Sequence, residues 1–292
     1  DELIIFGPWI AQPVQAVMPL VKRHHAFTYA VSVSPSLLPK FRPNLVALYP
    51  DFQHAVKEPM KGWIKLNPDI KSVVIIYDTF DTMLKEFYQL QRAALEEIGV
   101  TVNAVQLTEG VDMGAAVIKA MAFKPDGYSG IGLPQKLAQV AQELKKRGMN
   151  EPRRIIWHGT CDDPSFFEIG RGAIDGSYMW NIFNRLSDQA GWVSFRNAFK
   201  AKFSGIEPVV VTPVFYDMVY LAKYAIEKGG LTGDPAKLKE ERQKLIELMK
   251  DVPDFSGIQQ VYDIVDYQAQ APAYLFRVLT DDIEVLEVYQ TQ

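Results

Sequence analysis

From Ser72 to Trp180 the chain alternates between two periodicities so regularly that few folds can accept it. Ser72-Val73-Val74-Ile75-Ile76-Tyr77 is a continuous apolar, β-branched run, the mark of a strand covered on both faces. An amphipathic helix follows through Leu84, Phe87, Leu90, Ala94 and Ile98 and stops at Gly99. The unit then repeats: strand Thr101 to Leu107, helix Met113 to Phe123, strand Gly127 to Ile131, and a helix from Pro134 to Gly148 carrying Leu137, Val140, Ala141 and Leu144. Arg154 to Trp157 reads as a fourth strand and Gly176 to Trp180 as a fifth. Strands joined through helices of this length need right-handed crossovers, so the sheet is expected to be parallel and doubly wound.

The flanks do not continue that count. Residues 1–66 read as a strand at 3–6, a helix from Val14 to Arg23, a strand near Ala26 to Ala30 and a helix from Phe52 to Leu66. Residues 192–251 are mostly helical, with Phe195, Phe199 and Phe203 on one face of the first helix. From Gln259 onward the pattern is strand-like, with a turn at Thr280-Asp281-Asp282. Neither flank can close a core alone. The economical arrangement is two α/β lobes, one from residues 1–66 plus 185–255 and the other from 67–184 plus 256–292.

Charge and length remove several classes. A net charge of −4 with scattered Lys and Arg leaves no footprint for nucleic acid. No apolar stretch approaches the roughly 18 residues of a membrane span, so the chain is not expected to be membrane-spanning. One cysteine, Cys161, excludes an internal disulfide.

Ligands of open parallel sheets sit beyond the carboxyl ends of the strands. The loops so marked are Gly7 to Gln12, Tyr29 to Val33, Asp78 to Thr82, Gly130 to Leu133, His158 to Cys161, and Trp180-Asn181. With two lobes, a small molecule held in a cleft between them is the expected arrangement.

At these loops the chain resembles the type I periplasmic solute-binding proteins of ABC transporters, in particular the branched-chain amino acid and amide group. The stretches that carry the resemblance are IIFGPWIAQP, SPSL, KSVVIIYD, GYSGIGLPQKLAQVAQELKKRGMN, AIDGSYMWNIF and FRNAFKAKFSGIEPVVVTPVFYDMVYLAKYAIEKGG. It implies the two-lobed type I fold of that family. It also implies capture of a small organic ligand by closure of the lobes, a periplasmic or extracytoplasmic location, permease subunits as partners, a monomer, no cofactor and no enzymatic activity. In the family, two strand-helix units precede the IIFGP strand. Their absence implies a fragment or processed form of a longer mature protein.

The ligand positions of the family's amino acid binders transfer poorly. Where they carry a hydroxyl for the carboxylate, this chain aligns Ala11; where they offer Thr or Ser to the ammonium, it has Val33; and the acid from the second lobe falls at Gly159 or Thr160. A buried ammonium without partners costs several kcal/mol. An aromatic or apolar carboxylate or amide is therefore favoured over a free α-amino acid. The candidate binding residues are Trp9, Ile10, Ala11, Tyr29, Ser32, Phe80, Thr82, Leu133, His158, Gly159, Thr160 and Trp180, with Trp157 expected to point into the sheet packing. For the counter-charge to a carboxylate, Lys136, Arg171 and Arg185 remain unranked.

Other readings are weaker. His158 and Cys161 in HGTCDD could pair as base and nucleophile, but no third orienting group accompanies them. His24-His25 lacks further ligands at metal spacing, and Asp162-Asp163 suits a helix cap better than a cation. A sensing domain of a receptor or amide-responsive regulator shares the expected fold, and branched-chain amino acid binding remains the family's most familiar role.

Overall fold

The computed structural model describes residues 2–31, 33–209 and 211–290. The chain forms two compact units, Asp1–Asp51 with Asn184–Ala271 and Phe52–Phe183 with Pro272–Gln292.

The first unit opens with β1 (Ile5–Phe6), α1 (Ala11–Arg23), β2 (Thr28–Ala30), α2 (Leu38–Phe41) and β3 (Leu45–Ala47). These strands are parallel, with Ile5 opposite Thr28 and Thr28 opposite Leu45. The Thr28 hydroxyl donates to the Gly7 carbonyl at 2.7 Å and so holds the end of the edge strand. Along α1 the buried residues are Ala11, Val14, Met18 and Val21, the spacing of one helical face.

The second unit runs α3 (Phe52–Leu66), β4 (Ser72–Asp78), α4 (Thr82–Glu97), β5 (Thr101–Leu107), α5 (Met113–Met121), β6 (Gly127–Ile131), α6 (Pro134–Lys146), β7 (Ile155–His158), α7 (Pro164–Gly170) and β8 (Tyr178–Asn181). Its strands pair in parallel in the order β8-β7-β6-β4-β5. Three helices begin where a carboxylate satisfies an open amide: Asp81, Asp112 and Asp163 accept from the N–H groups of Met83, Ala115 and Ser165. One face of the sheet buries Val74, Ile76, Val105, Tyr128 and Trp157 with residues of α5, α6 and α7. Trp157 is buried as expected, its indole N–H donating to Ser177 Oγ at 2.9 Å. Gly130 makes room for it: a Cβ there would lie 2.5 Å from the indole.

The chain returns to the first unit as α8 (Ala190–Lys202), α9 (Val211–Gly229), α10 (Leu238–Leu248), β9 (Val252–Ser256), β10 (Val261–Val265) and β11 (Gln268–Gln270). Among the described residues this sheet is six-stranded, in the order β1-β2-β3-β11-β10-β9. Finally β12 (Ala273–Val278) and β13 (Ile283–Tyr289) re-enter the second unit as an antiparallel hairpin on β8, turning where Leu279 N–H donates to the Asp282 carbonyl. The seven-stranded order is β13-β12-β8-β7-β6-β4-β5. This is the α/β architecture of parallel strands and helices expected from the alternation.

The unit boundaries differ from those the sequence suggested. Helix α3 was expected with the first lobe but packs in the second unit. Phe52 meets Phe87 of α4 edge-on at 4.7 Å, the Trp63 indole donates to the Arg153 carbonyl at 3.1 Å, and Gly62 lies against Tyr289 of β13. Residues 256–271 move the other way, because β11 pairs with β3, Gln268 opposite Ala47, and Ile264 and Ala269 join the first unit's core. An amphipathic pattern shows that a helix has a face to bury, not which sheet buries it.

Candidate ligand-binding site

In the second unit, the carboxyl ends of β4, β6, β7 and β8 are tied into one network. His158, the last residue of β7, is buried against Phe87 of α4 and Trp180 of β8, at centroid distances of 4.7 and 5.0 Å. Burial lowers its pKa to about 3, so the ring is neutral at ordinary pH. Thr160 Oγ1 gives its proton to the Gly132 carbonyl at 2.6 Å and lies 3.0 Å from His158 Nδ1. With that proton committed, Nδ1 must be the protonated nitrogen of His158, and Nε2 carries a lone pair. Gly159 permits the close turn: a Cβ would sit 2.5 Å from Asn181 Oδ1, and the Asn181 amide donates to the Gly159 carbonyl at 3.3 Å.

On the β4 side, Asp78 is almost fully buried and holds two partners. Its Oδ1 accepts the Phe80 amide at 3.0 Å and its Oδ2 lies 2.7 Å from Lys136 Nζ in the first turn of α6. Phe80 is 57% exposed and Leu133, the N-cap of α6, is 37% exposed, so this edge offers apolar surface to an incoming molecule. Thr82 opens α4 with an exposed side chain. Of the acids in these loops, Asp78 is paired with Lys136, and Asp81 and Asp163 each accept a helix amide through Oδ1, from Met83 and Ser165, while Asp81 Oδ2 is buried without a hydrogen-bond partner.

In the first unit, Trp9 follows β1 and is 47% exposed, and its indole bonds the Tyr49 hydroxyl just beyond β3. Tyr49, which stands beside the candidate residue Trp9, was not read from the sequence, since the three-residue strand before it is too short to show a period. Ile10 is the half-buried N-cap of α1, a helix start with no side-chain cap and no acid in its first turn. Those open amides suit an anion or a carbonyl oxygen.

The sequence of residues 3–282 matches the family model described as periplasmic binding protein. The chain belongs to this family. Its architecture matches the two-lobed type I periplasmic binding protein fold. A leucine-binding protein from Thermotoga maritima superposes with a TM-score of 0.83 at 21% identity, over 99% of this chain and 80% of the other. A solute-binding protein of an R. palustris ABC transporter, solved with 4-hydroxybenzoate, gives 0.82 at 17% identity over 99% and 79%. A solute-binding protein from Rhodopseudomonas palustris BisB5, solved with 3,4-dihydroxybenzoic acid, gives 0.81 at 16% identity over 99% and 78%. No curated protein matches the sequence.

Not all of the binding protein's expected ligand contacts lie at the surface of these loops. Tyr29 is fully buried in the first unit's core between Phe6 and Phe27, where desolvation raises its hydroxyl pKa. Ala11, the first residue of α1, is buried, and Val33 belongs to the core that packs against that helix. Trp180 is 1% exposed and packs on Phe87, and its indole N–H has no protein acceptor among the described residues. Ser32 lies outside the described residues. Cys161 is buried in the apolar core, and its thiol pKa is raised well above the usual value, which disfavours the thiolate a nucleophile requires. Among the described residues, no cluster of His, Cys, Asp or Glu could hold a metal ion, and no helix is long and apolar enough to cross a membrane.

Proposed function

We propose that this solute-binding protein captures a small aromatic or apolar carboxylate or amide outside the cytoplasm, closes on it, and delivers it to the membrane permease of an ABC importer. One observation carries the choice of ligand: Asp78, Asp81 and Asp163 in the second unit's carboxyl-edge loops are each bonded within the protein. Asp78 is neutralised by Lys136, Asp81 and Asp163 serve as helix caps, and the exposed side chains beside them, Phe80 and Leu133, are apolar. An α-amino acid would therefore bring a charge that this edge does not match. A hydroxyl or amide N–H could donate to His158 Nε2, and an aromatic ring gains dispersion contacts from Phe80. The benzoates bound by two proteins of the same fold agree with this chemistry.

Branched-chain amino acid binding is the second reading, favoured by the similarity to the leucine-binding protein. A thermal-shift screen separates the two, because a ligand that binds only the folded state raises the melting temperature. Aromatic and aliphatic carboxylates, their amides and the branched-chain amino acids would be compared at equal concentration. The largest shift is expected from a benzoate or a related apolar acid. A shift confined to leucine, isoleucine or valine overturns the aromatic reading.

A further inference from the structure

The structure separates the three cations that the sequence left unranked. Arg171 sits in the turn after α7, whose Gly172 carbonyl accepts a bond from Lys145 near the C-terminal end of α6. Arg185 belongs to the first unit's segment after β8, where its carbonyl accepts the Trp192 indole. Lys136 lies in the first turn of α6, directly after the carboxyl end of β6.

The placement of Lys136 is electrostatically unusual. A helix N-terminus carries the positive end of the dipole, so a cation there is disfavoured, and α6 has neither an acid in its first turn nor a side-chain cap. What holds the ammonium is Asp78, 2.7 Å away. The pair is also polarised by burial, since the Asp78 side chain is 2% exposed and that of Lys136 is 30% exposed. The carboxylate lies inside, pinned by the Phe80 amide, while the ammonium is the end that solvent reaches. Gly132 is packed closely against Asp78, for a Cβ there would stand 3.0 Å from Asp78 Cβ. A molecule arriving at this edge meets positive charge from Lys136 and from the open end of α6, with the Asp78 carboxylate buried behind them.

We propose that Lys136 is the specificity-determining residue that receives the ligand's carboxylate, with Asp78 as the positioning residue that holds the ammonium at the helix N-terminus. This assignment rests on the solute-binding reading and narrows it: the ligand is an anion with a free carboxylate, and its amide is discriminated against. The ammonium keeps two N–H groups beyond the one given to Asp78, enough to bond a carboxylate oxygen.

The test is calorimetric titration with two pairs of probes, 4-hydroxybenzoate with 4-hydroxybenzamide and leucine with leucinamide, because each pair differs only at the carboxylate. Removing Lys136 alone would strand a buried carboxylate and endanger the fold, so the informative variant is D78N/K136M, with Lys136→Arg as the conservative control. Wild-type protein is expected to prefer the acid of the pair it binds by about tenfold or more, the scale of a charge-assisted hydrogen bond. That preference should persist in Lys136→Arg and fall to about twofold or less in D78N/K136M, with the melting curve of the ligand-free variant still cooperative. Retention of the full preference in the double variant overturns the assignment. Binding of the leucine pair alone, with the preference lost in the double variant, overturns the aromatic reading but upholds Lys136. A wild-type protein that binds none of the four overturns both.

Discussion

The two units solve the same problem with different amounts of local information. The second unit is built on strands such as Ser72–Asp78 and Thr101–Leu107, seven residues each, and its sheet has a deep aromatic filling in Trp157 and Phe166. The first unit begins with strands of two and three residues, and its edge strand leaves Phe6 49% exposed. The longer ladders fix register through many bonds and a continuous buried face, whereas the short ones depend on the helices around them. Ligand selectivity, on this account, is a property of the rigid unit: its loops are cross-tied by Asp78, Thr160 and Asn181.

The comparison breaks most visibly under large-to-small substitution. Trp157→Ala should remove about 3–5 kcal/mol from the second unit in denaturant titrations, whereas Phe6→Ala on the exposed edge of the first should change stability by less than about 0.5 kcal/mol. Trp180→Ala belongs with Trp157, since Trp180 is core, and would lower stability before it reported on binding.

Acid and base should act on the units with opposite signs. His158 in the second unit has a pKa lowered to about 3 by burial. Its contribution is present above the unfolded value near 6.5 and is lost as pH falls from there toward 3. Asp217 in the first unit is buried beneath the 257–262 segment, where it accepts the Ile258 amide at 2.7 Å, and desolvation raises its pKa to about 7. Its protonated form is favoured by folding, so the contribution is present below about 3.9 and is lost as pH rises toward 7. Hydrogen exchange resolved by unit should show the second unit gaining protection between pH 4 and 6.5 while the first loses it. Asp217→Asn should flatten only the first slope, and equal slopes in both units would contradict these assignments.

Smaller effects bear on the site itself. Phe80→Ala, at an exposed position, should weaken ligand binding about tenfold by calorimetry while leaving the ligand-free melting temperature nearly unchanged. Cys161→Ser should leave ligand affinity unaltered, because the thiol is buried in the apolar core. Its measurable cost is stability, about 1–3 kcal/mol for a hydroxyl placed among apolar groups.

The contrast between units also explains what could be read from the sequence. The strands at 72–78, 101–107 and 127–131 were legible because each is a long buried run or ends at a clear turn, and the helices after the first and the third carry their own stops at Gly99 and Gly148. The strand Leu45–Ala47 was not, since three apolar residues have no period, and Tyr49 was lost with it. The strand ends that open the candidate loops were legible from the pattern alone. Which side chains in them face solvent was not: Tyr29 and Trp180 differ from Trp9 and Phe80 in burial, and burial depends on partners such as Phe87, far along the chain from Trp180. The Lys136–Asp78 pair joins residues 58 positions apart, so its polarity exists only in the folded unit.

The most direct test is a competition titration of the wild-type protein with 4-hydroxybenzoate and leucine under identical conditions. The account predicts that the aromatic acid binds at least about tenfold more tightly, because the exposed side chains Phe80 and Leu133 are apolar and the charge that solvent reaches beside them, Lys136, is positive. Tight binding of leucine that 4-hydroxybenzoate cannot displace would contradict it.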